Sequence, residues 1–329
     1  PSTDDAWSST DDAATVPEDA WVAPTPDTGP SGTTGLRVIV EPSDGGAGLV
    51  AAISAATASV HMTMYLLTSR EVIDALVARH RAGVEVRVVL NQTFPSGTST
   101  SNDSAYTQLT SAGIPVHWAP SAFTLTHEKC VILDGREAWI MTMNATLTSP
   151  TSNREFLLID DEPAHVADAE RIFEGDFAGS PITSYAGPLV LAPTDAAAPI
   201  HALIAGALHT IDVEDEELSD RDTVAALVGA AGRGVRVRVV LSDGTRTAAG
   251  DTAVSNLRAA GIPVHTVSTP YIHAKAIVVD GARTFVGSEN LTFASLTMNR
   301  ELGVIFSQAD VVSTVASTIA SDFASGTAL

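Results

Sequence analysis

A single cysteine, Cys130, excludes any internal disulfide, so no covalent brace holds the fold and the redox compartment is left undefined. Its place between Lys129 and Val131 puts it on the strand face opposite the lysine, where it reads as a small buried core residue and not as a nucleophile. Basic residues are also scarce: 18 Lys and Arg stand against 39 Asp and Glu, a formal net charge of -21. Such a field repels anionic polymers and argues against a wide footprint on nucleic acid. Aromatic residues make up only 5% of the chain, too few for the stacking platforms that bind single strands. Long apolar runs are missing as well. The longest nearly uncharged stretch, Gly48 to Ser69, is broken by Ser54, Thr57, Ser59, His61 and Thr63 and reads as helix then strand. What is present is 45% hydrophobic content over 329 residues, enough to bury the core of one large or two ordinary domains.

The chain contains a copy of itself. Leu125 to Glu155 and Tyr271 to Glu301 share one register: His127 and His273, Lys129 and Lys275, Asp134 and Asp280, Asn144 and Asn290, and Glu155 and Glu301 all lie 146 positions apart. On a strand, positions i and i+2 share a face, so each His points the same way as its Lys. Two such pairs facing each other make a pocket for one phosphate diester. The lysines and asparagines suit non-bridging oxygens, where charge develops in the transition state. One imidazole suits attack on phosphorus and the other protonation of the leaving oxygen, because an unperturbed pKa of about 6.5 serves both tasks. Glu155 and Glu301 follow Asn-Arg in both copies, and a carboxylate there would orient an imidazole across the site. Same-lobe and crossed His–Glu pairings are both open. The scheme requires no metal and no cofactor.

These residues resemble the signature of the phospholipase D superfamily, His-x-Lys, four residues, Asp, six residues, Gly-Ser-x-Asn. The second copy matches it from His273 and Lys275 through Asp280 to Gly287, Ser288 and Asn290. The first keeps His127, Lys129, Asp134 and Asn144 but has Met141 and Thr142 in place of Gly-Ser; threonine still offers a hydroxyl. The resemblance implies a covalent phosphohistidine at an interface between two lobes, with Thr142 and Ser288 touching substrate. In the secreted bacterial phospholipases that the chain resembles, the N-terminal histidine attacks, which would make His127 the nucleophile and His273 the acid. Asp134 and Asp280 each precede Gly, the chemistry of a tight turn, and are read as structural members of the motif.

The surrounding chain repeats in the same order. Arg81-Ala-Gly-Val-Glu-Val-Arg-Val-Val-Leu answers Gly232-Arg-Gly-Val-Arg-Val-Arg-Val-Val-Leu, and Asp176-Phe177 answers Asp322-Phe323. Strands alternating with helices predict an α/β fold: two repeated lobes, each a mixed sheet flanked by helices, related by an approximate two-fold axis. The expected divisions are an acidic disordered tail over 1–33, a first lobe over 34–180 and a second over 181–329. The tail has seven carboxylates, no Lys or Arg, and Trp7 and Trp21 as its only large apolar residues. It resembles the spacer behind a removed export signal, which gives the expectation of a secreted or cell-envelope bacterial protein. The loop Thr93 to Asp103 is expected to overhang the pocket.

Shared phosphodiester chemistry does not choose a substrate. The acidic balance favours a phospholipid or membrane surface over nucleic acid, and Trp118, Phe123 and Phe293 are candidates for an apolar lip that receives acyl chains. Lys129, Lys275, Arg154 and Arg300 would form a local basic cleft, which keeps a nuclease of the same fold as the alternative. A third reading is a phosphate-ligand binding protein with a degenerate first lobe. The run Glu214 to Glu217 offers hard oxygen ligands suited to calcium, but it aligns with Thr63, Met64, Tyr65 and Leu66 and is read as a solvated strand end. Two lobes in one chain make a monomer the expected active unit.

Overall fold

A computed structural model describes residues 35–95, 101–244 and 246–329. The expected tail over 1–33, with Trp7 and Trp21, lies outside the described residues, as does the 96–100 portion of the loop expected to overhang the pocket. The first half runs β1 (Arg37–Glu41), α1 (Ala47–Ala55), β2 (Ser59–Met64), α2 (Arg70–Arg81), β3 (Glu85–Leu90), α3 (Asp103–Ser111) and β4 (Val116–Trp118). It continues through β5 (Lys129–Leu133), β6 (Glu137–Met141), α4 (Ser149–Ser152), β7 (Asn153–Asp160) and α5 (Pro163–Phe177). The second half runs β8 (Val190–Ala192), α6 (Ala197–Ala205), β9 (Thr210–Asp215), α7 (Arg221–Gly232), β10 (Arg236–Ser242), α8 (Ala248–Ala259) and β11 (Val264–Val267). It ends with β12 (Tyr271–Ile272), β13 (Lys275–Val279), β14 (Arg283–Gly287), α9 (Phe293–Thr297), β15 (Glu301–Phe306), α10 (Ala309–Ser325) and β16 (Thr327–Ala328).

Local chemistry explains these boundaries. The α2 helix starts at Ser69, whose Oγ accepts from the Val72 amide, and α7 starts at Asp220, whose carboxylate accepts from the Thr223 amide at 2.8 Å. Both helices close into a glycine in the left-handed region, Gly83 at φ 89° and Gly234 at φ 91°, where a side chain would be strained. Apolar positions Val72, Ile73, Ala75 and Leu76 are the buried face of α2.

Two mixed sheets result. The first has the order β1-β7-β6-β5-β2-β3-β4 and the second β16-β11-β10-β9-β13-β14-β15-β8. In each, the Lys-bearing strand lies antiparallel to a strand that pairs in parallel with a Val-rich one, β5 on β2 on β3 and β13 on β9 on β10. Strands covered on both faces read as near-continuous apolar runs, which explains Arg-Val-Val-Leu recurring in β3 and β10. Helices α1 to α3 pack with the outer face of the first sheet, and α6 to α8 with that of the second. Between the sheets lies a shared core that joins Cys130, Ile132 and Phe156 to Ala276, Val278 and Val304, with α5 and α10 contributing Phe173 and Val315.

The halves also exchange backbone. The short β12 strand leaves the second half and pairs in parallel with β7, Tyr271 with Asn153 and Ile272 with Arg154. Thr126 makes the matching bridge to Arg300. Each lobe therefore holds the stretch just before the other lobe's histidine. Two ion pairs tie the same seam: Arg154 to Asp322 at 2.6 Å, and Arg300 to Asp176 at 2.8 Å, the latter fully buried on both sides. The Asp-Phe anchors at 176 and 322 thus serve lobe docking. Arg154 and Arg300 were expected to line a basic cleft; they are instead neutralised inside the seam. Among the described residues, no helix is long and apolar enough to cross a membrane.

Candidate active site

Both histidines stand where the backbone exchange occurs. The His127 amide donates to the Arg300 carbonyl at 2.8 Å, and the His273 amide donates to the Arg154 carbonyl at 3.3 Å. Because Arg300 and Arg154 immediately precede Glu301 and Glu155, each imidazole is delivered to the carboxylate of the opposite lobe. His127 Nδ1 lies 2.9 Å from Glu301, and His273 Nδ1 lies 2.9 Å from Glu155. The pairing is crossed, which settles the choice the sequence left open. A carboxylate at Nδ1 fixes the tautomer and turns Nε2 towards the site.

The carboxylates are themselves held. Thr142 Oγ1 donates to Glu155 at 2.6 Å and Asn153 Nδ2 at 3.1 Å. Ser288 Oγ donates to Glu301 at 2.7 Å, with Ser295 at 2.9 Å and Asn299 at 3.3 Å. Thr142 and Ser288 were expected to touch substrate; both are fully buried and their hydroxyls go to the carboxylates, so each orients a glutamate. Burial works against the charge of Glu155 and Glu301, but His273 and Lys275 on one side, and His127 and Lys129 on the other, outweigh it and lower both pKa values.

The departure from Gly-Ser in the first lobe has a packing explanation. In the second lobe Gly287 pairs with Gly303, and the space above them is filled by the Glu289 side chain, which a Cβ on either glycine would strike. In the first lobe Met141 pairs with Leu157, and Met143 replaces Glu289. The first lobe thus carries buried apolar side chains at all three positions of the trio, where the second has two glycines and one carboxylate, and the hydroxyl at Thr142 is kept.

Lys129 and Lys275 begin β5 and β13, are buried, and donate to the carbonyls of His127 and His273. Burial lowers Lys129 to about 7, with Lys275 adding to the effect against the pull of Glu301. Lys275 moves the other way: burial opposes its charge, but Glu216 and Glu155 raise it above the ordinary value. Burial, helped by both lysines, lowers His127 to about 4 against the opposing effect of Glu301. Asn144 and Asn290 are also buried, and the Oδ1 of each lacks a protein partner among the described residues. Two imidazoles and two lysine side chains act on one another here, a set able to hold and attack a phosphate diester.

Asp134 and Asp280 play no part in that set. Each sits at φ 54° in its turn; Asp134 accepts from the amides of Thr57, Ala58 and Ser59, and Asp280 from those of Leu208, His209 and Thr210. The apolar lip also needs correction. Trp118 stacks on Tyr106 with ring centroids 4.3 Å apart, and Phe123 lies under the Arg300 guanidinium at 4.2 Å, so both are packing residues. Phe293 is 64% exposed, and its counterpart 146 positions earlier, Leu147, is 76% exposed.

The acidic run was misread. It is not a solvated strand end: Glu214 and Asp215 are buried, and Glu216 Oε2 lies 2.9 Å from Lys275 Nζ and 3.5 Å from His273 Nε2. Nor do its four carboxylates converge as calcium ligands would. Asp215 accepts from the amides of Glu217 and Leu291, while Glu216 goes to Lys275 and Tyr271. Three ligand-type groups do approach one another at His61, Glu170 and Glu174, but the Arg87 guanidinium already pairs with His61 and Glu174 there. Tyr65 was missed too; its ring lies edge-on to His127 at 4.5 Å, with Lys129 Nζ 5.0 Å from its centroid. The signal for both residues was their position one step past the strands that flank the lysine strands.

The family described as "Cardiolipin synthase, PLD-like domain" matches residues 49–177 and 200–323. The chain belongs to it. Both PLD-like halves are covered, in keeping with the two-lobed architecture of the phospholipase D superfamily. Among solved structures, phosphatidylserine synthase of Haemophilus influenzae Rd KW20 superposes with a TM-score of 0.70 at 12% identity, covering 89% of this chain and 87% of that one. Polyphosphate kinase from Porphyromonas gingivalis gives a TM-score of 0.67 at 16% identity, covering 87% of this chain and 46% of that one. These likenesses speak for the PLD-like fold. Among curated relatives, phospholipase D Z of Dictyostelium discoideum is 37% identical over 91 residues, 26% of this chain and 21% of that protein. The mitochondrial cardiolipin hydrolase of Danio rerio is 32% identical over 122 residues, 37% of this chain and 50% of that protein. The matches thus span half or less of these relatives' length.

Proposed function

We propose that this chain is a phosphodiesterase of phospholipase D type, which splits glycerophospholipids into phosphatidic acid and a free head group. The crossed pairing of His127 with Glu301 and His273 with Glu155 carries the reading, because it sets two oriented imidazoles at the seam between the lobes, each two residues from a buried lysine. One imidazole attacks phosphorus and the other protonates the leaving oxygen; water then resolves the phosphohistidine, and an alcohol in its place gives transphosphatidylation. The lysines and asparagines bind the non-bridging oxygens. This chemistry calls on no metal. Retention of the full set in both lobes argues against a mere binding protein.

A lipid substrate is favoured by what surrounds the site. Arg154 and Arg300 are internally paired, the net charge is -21, and the exposed Leu147 and Phe293 occupy two-fold-equivalent positions three residues beyond Asn144 and Asn290. An axis relating the lobes puts such a pair at equal height on one face, as contact with a lipid surface requires. The similarity to proteins named phospholipase D and cardiolipin hydrolase agrees. Because one chain supplies both lobes, we propose a monomer as the active unit, and export to the cell envelope or beyond as its destination. Head-group release from phosphatidylcholine vesicles and cleavage of single-stranded DNA, compared for wild type and His273→Asn, test the proposal. Lipid turnover lost in the variant supports it; DNA cleavage alone would move the function to nuclease.

A further inference from the structure

The His, Lys, Asn and Glu residues of the two halves match one for one, but a position beside each His-Lys pair does not. Met64 faces Lys129 across β2 and β5, and Asp215 faces Lys275 across β9 and β13. The next residues, Tyr65 and Glu216, are therefore equivalent by register, and they place a neutral ring beside one His-Lys pair and a carboxylate beside the other. Tyr65 stays neutral, its pKa pushed up to about 12 by burial and by Glu301 and Glu216.

The consequence is a different surrounding for each imidazole. His273 has a carboxylate near each ring nitrogen: Glu155 at Nδ1, 2.9 Å away, and Glu216 at Nε2, 3.5 Å away. An imidazole that meets acceptors on both sides is matched to them only when it carries two N–H groups. At 3.5 Å the second contact is longer than an ordinary hydrogen bond, and it leaves the Nε2 edge of the ring facing a carboxylate. His127 has Glu301 at Nδ1, and among the described residues no carboxylate lies within ion-pair distance of its Nε2. Facing His273 are also Glu217, from the segment after β9, and Lys275 of β13, which gives its own charge to Glu216. Glu216 is fixed from a third side by the Tyr271 hydroxyl, which donates to its Oε1 at 3.0 Å.

We propose that Glu216 is the positioning residue that makes the matched halves unequal, committing His273 to proton donation and leaving His127 to attack. The inference rests on the phosphodiesterase reading. The Nε2 lone pair of His127 forms the N–P bond as the P–O bond to the leaving alcohol breaks, and the proton on His273 Nε2 passes to the departing oxygen. Water then adds to phosphorus, His273 takes its proton, and the N–P bond breaks.

The test compares two leaving groups. Bis(p-nitrophenyl) phosphate releases a stabilised phenolate that needs little protonation, whereas phosphatidylcholine in detergent micelles releases an alkoxide that needs it. Glu216→Gln is expected to lower turnover of the lipid at least about tenfold more than that of the aryl diester, since general acid catalysis typically contributes 10²–10⁴-fold. Glu216→Asp is expected to restore much of the lost ratio, which a merely structural role would not produce. Peptide mapping of wild type after an alkaline quench is expected to find the phosphoryl adduct on His127. Equal losses on both substrates, or an adduct on His273, would overturn the assignment while leaving the phosphodiesterase reading intact. Failure of wild type to turn over either diester would overturn both.

Discussion

His127 and Glu301 lie 174 residues apart in the chain and 2.9 Å apart in space. The contact joins opposite lobes, so each imidazole works only if the two lobes are docked, and neither half carries a complete His–Glu pair. Glu301→Gln is expected to preserve the hydrogen-bonded geometry while presenting the wrong partner to Nδ1. By analogy with triads in which the same change costs about 10⁴ in kcat, a loss of about 10²–10⁴ in kcat with little change in KM is expected from steady-state kinetics.

The Arg300–Asp176 pair should dominate the energetics of docking. Both side chains are fully buried, and removing one partner leaves an uncompensated charge. Asp176→Ala is expected to cost about 3–5 kcal/mol in denaturant melts, and replacing both residues with apolar ones less than that.

Thr142 should tolerate serine and resist valine. Its hydroxyl donates to Glu155 at 2.6 Å, and valine keeps the shape while leaving the carboxylate one donor short. Thr142→Val is expected to lower kcat about tenfold and Thr142→Ser to remain near wild type, measured on a soluble aryl diester.

Stability should depend on pH through Glu128. Burial, with Asp176 adding to it, raises this carboxyl to about 8, and its Oε2 has no partner. A folded pKa above the unfolded value of about 4.3 means that the group's full contribution holds below pH 4.3 and is lost as pH rises through about 8. Glu128→Gln is therefore expected to raise Tm at pH 8 by more than it does at pH 4, where the two proteins should melt alike.

Activity should persist into acid. With His127 lowered to about 4, its Nε2 lone pair remains available well below the ordinary histidine range. If His127 is the nucleophile, the acid limb of kcat/KM on the aryl diester falls near pH 4 and not near 6.5.

The sequence by itself determined the two-lobed α/β fold, the His-Lys-Asn set and the importance of the two glutamates, because repetition in register separates functional residues from background. Periodicity and turn chemistry placed helices such as α2, since capping by Ser69 and termination by Gly83 are local events. Only the tertiary structure decided which glutamate serves which histidine, because the backbone exchange at Arg154 and Arg300 is a contact between distant segments with no local signal. The same holds for Thr142 and Ser288, whose hydroxyls look substrate-facing in a motif and are buried against carboxylates in the fold. Glu216 was hidden for a different reason. Four consecutive acids resemble a solvated strand end until the neighbouring strand supplies a buried lysine, and the strand order that brings Lys275 beside them is a property of the whole sheet.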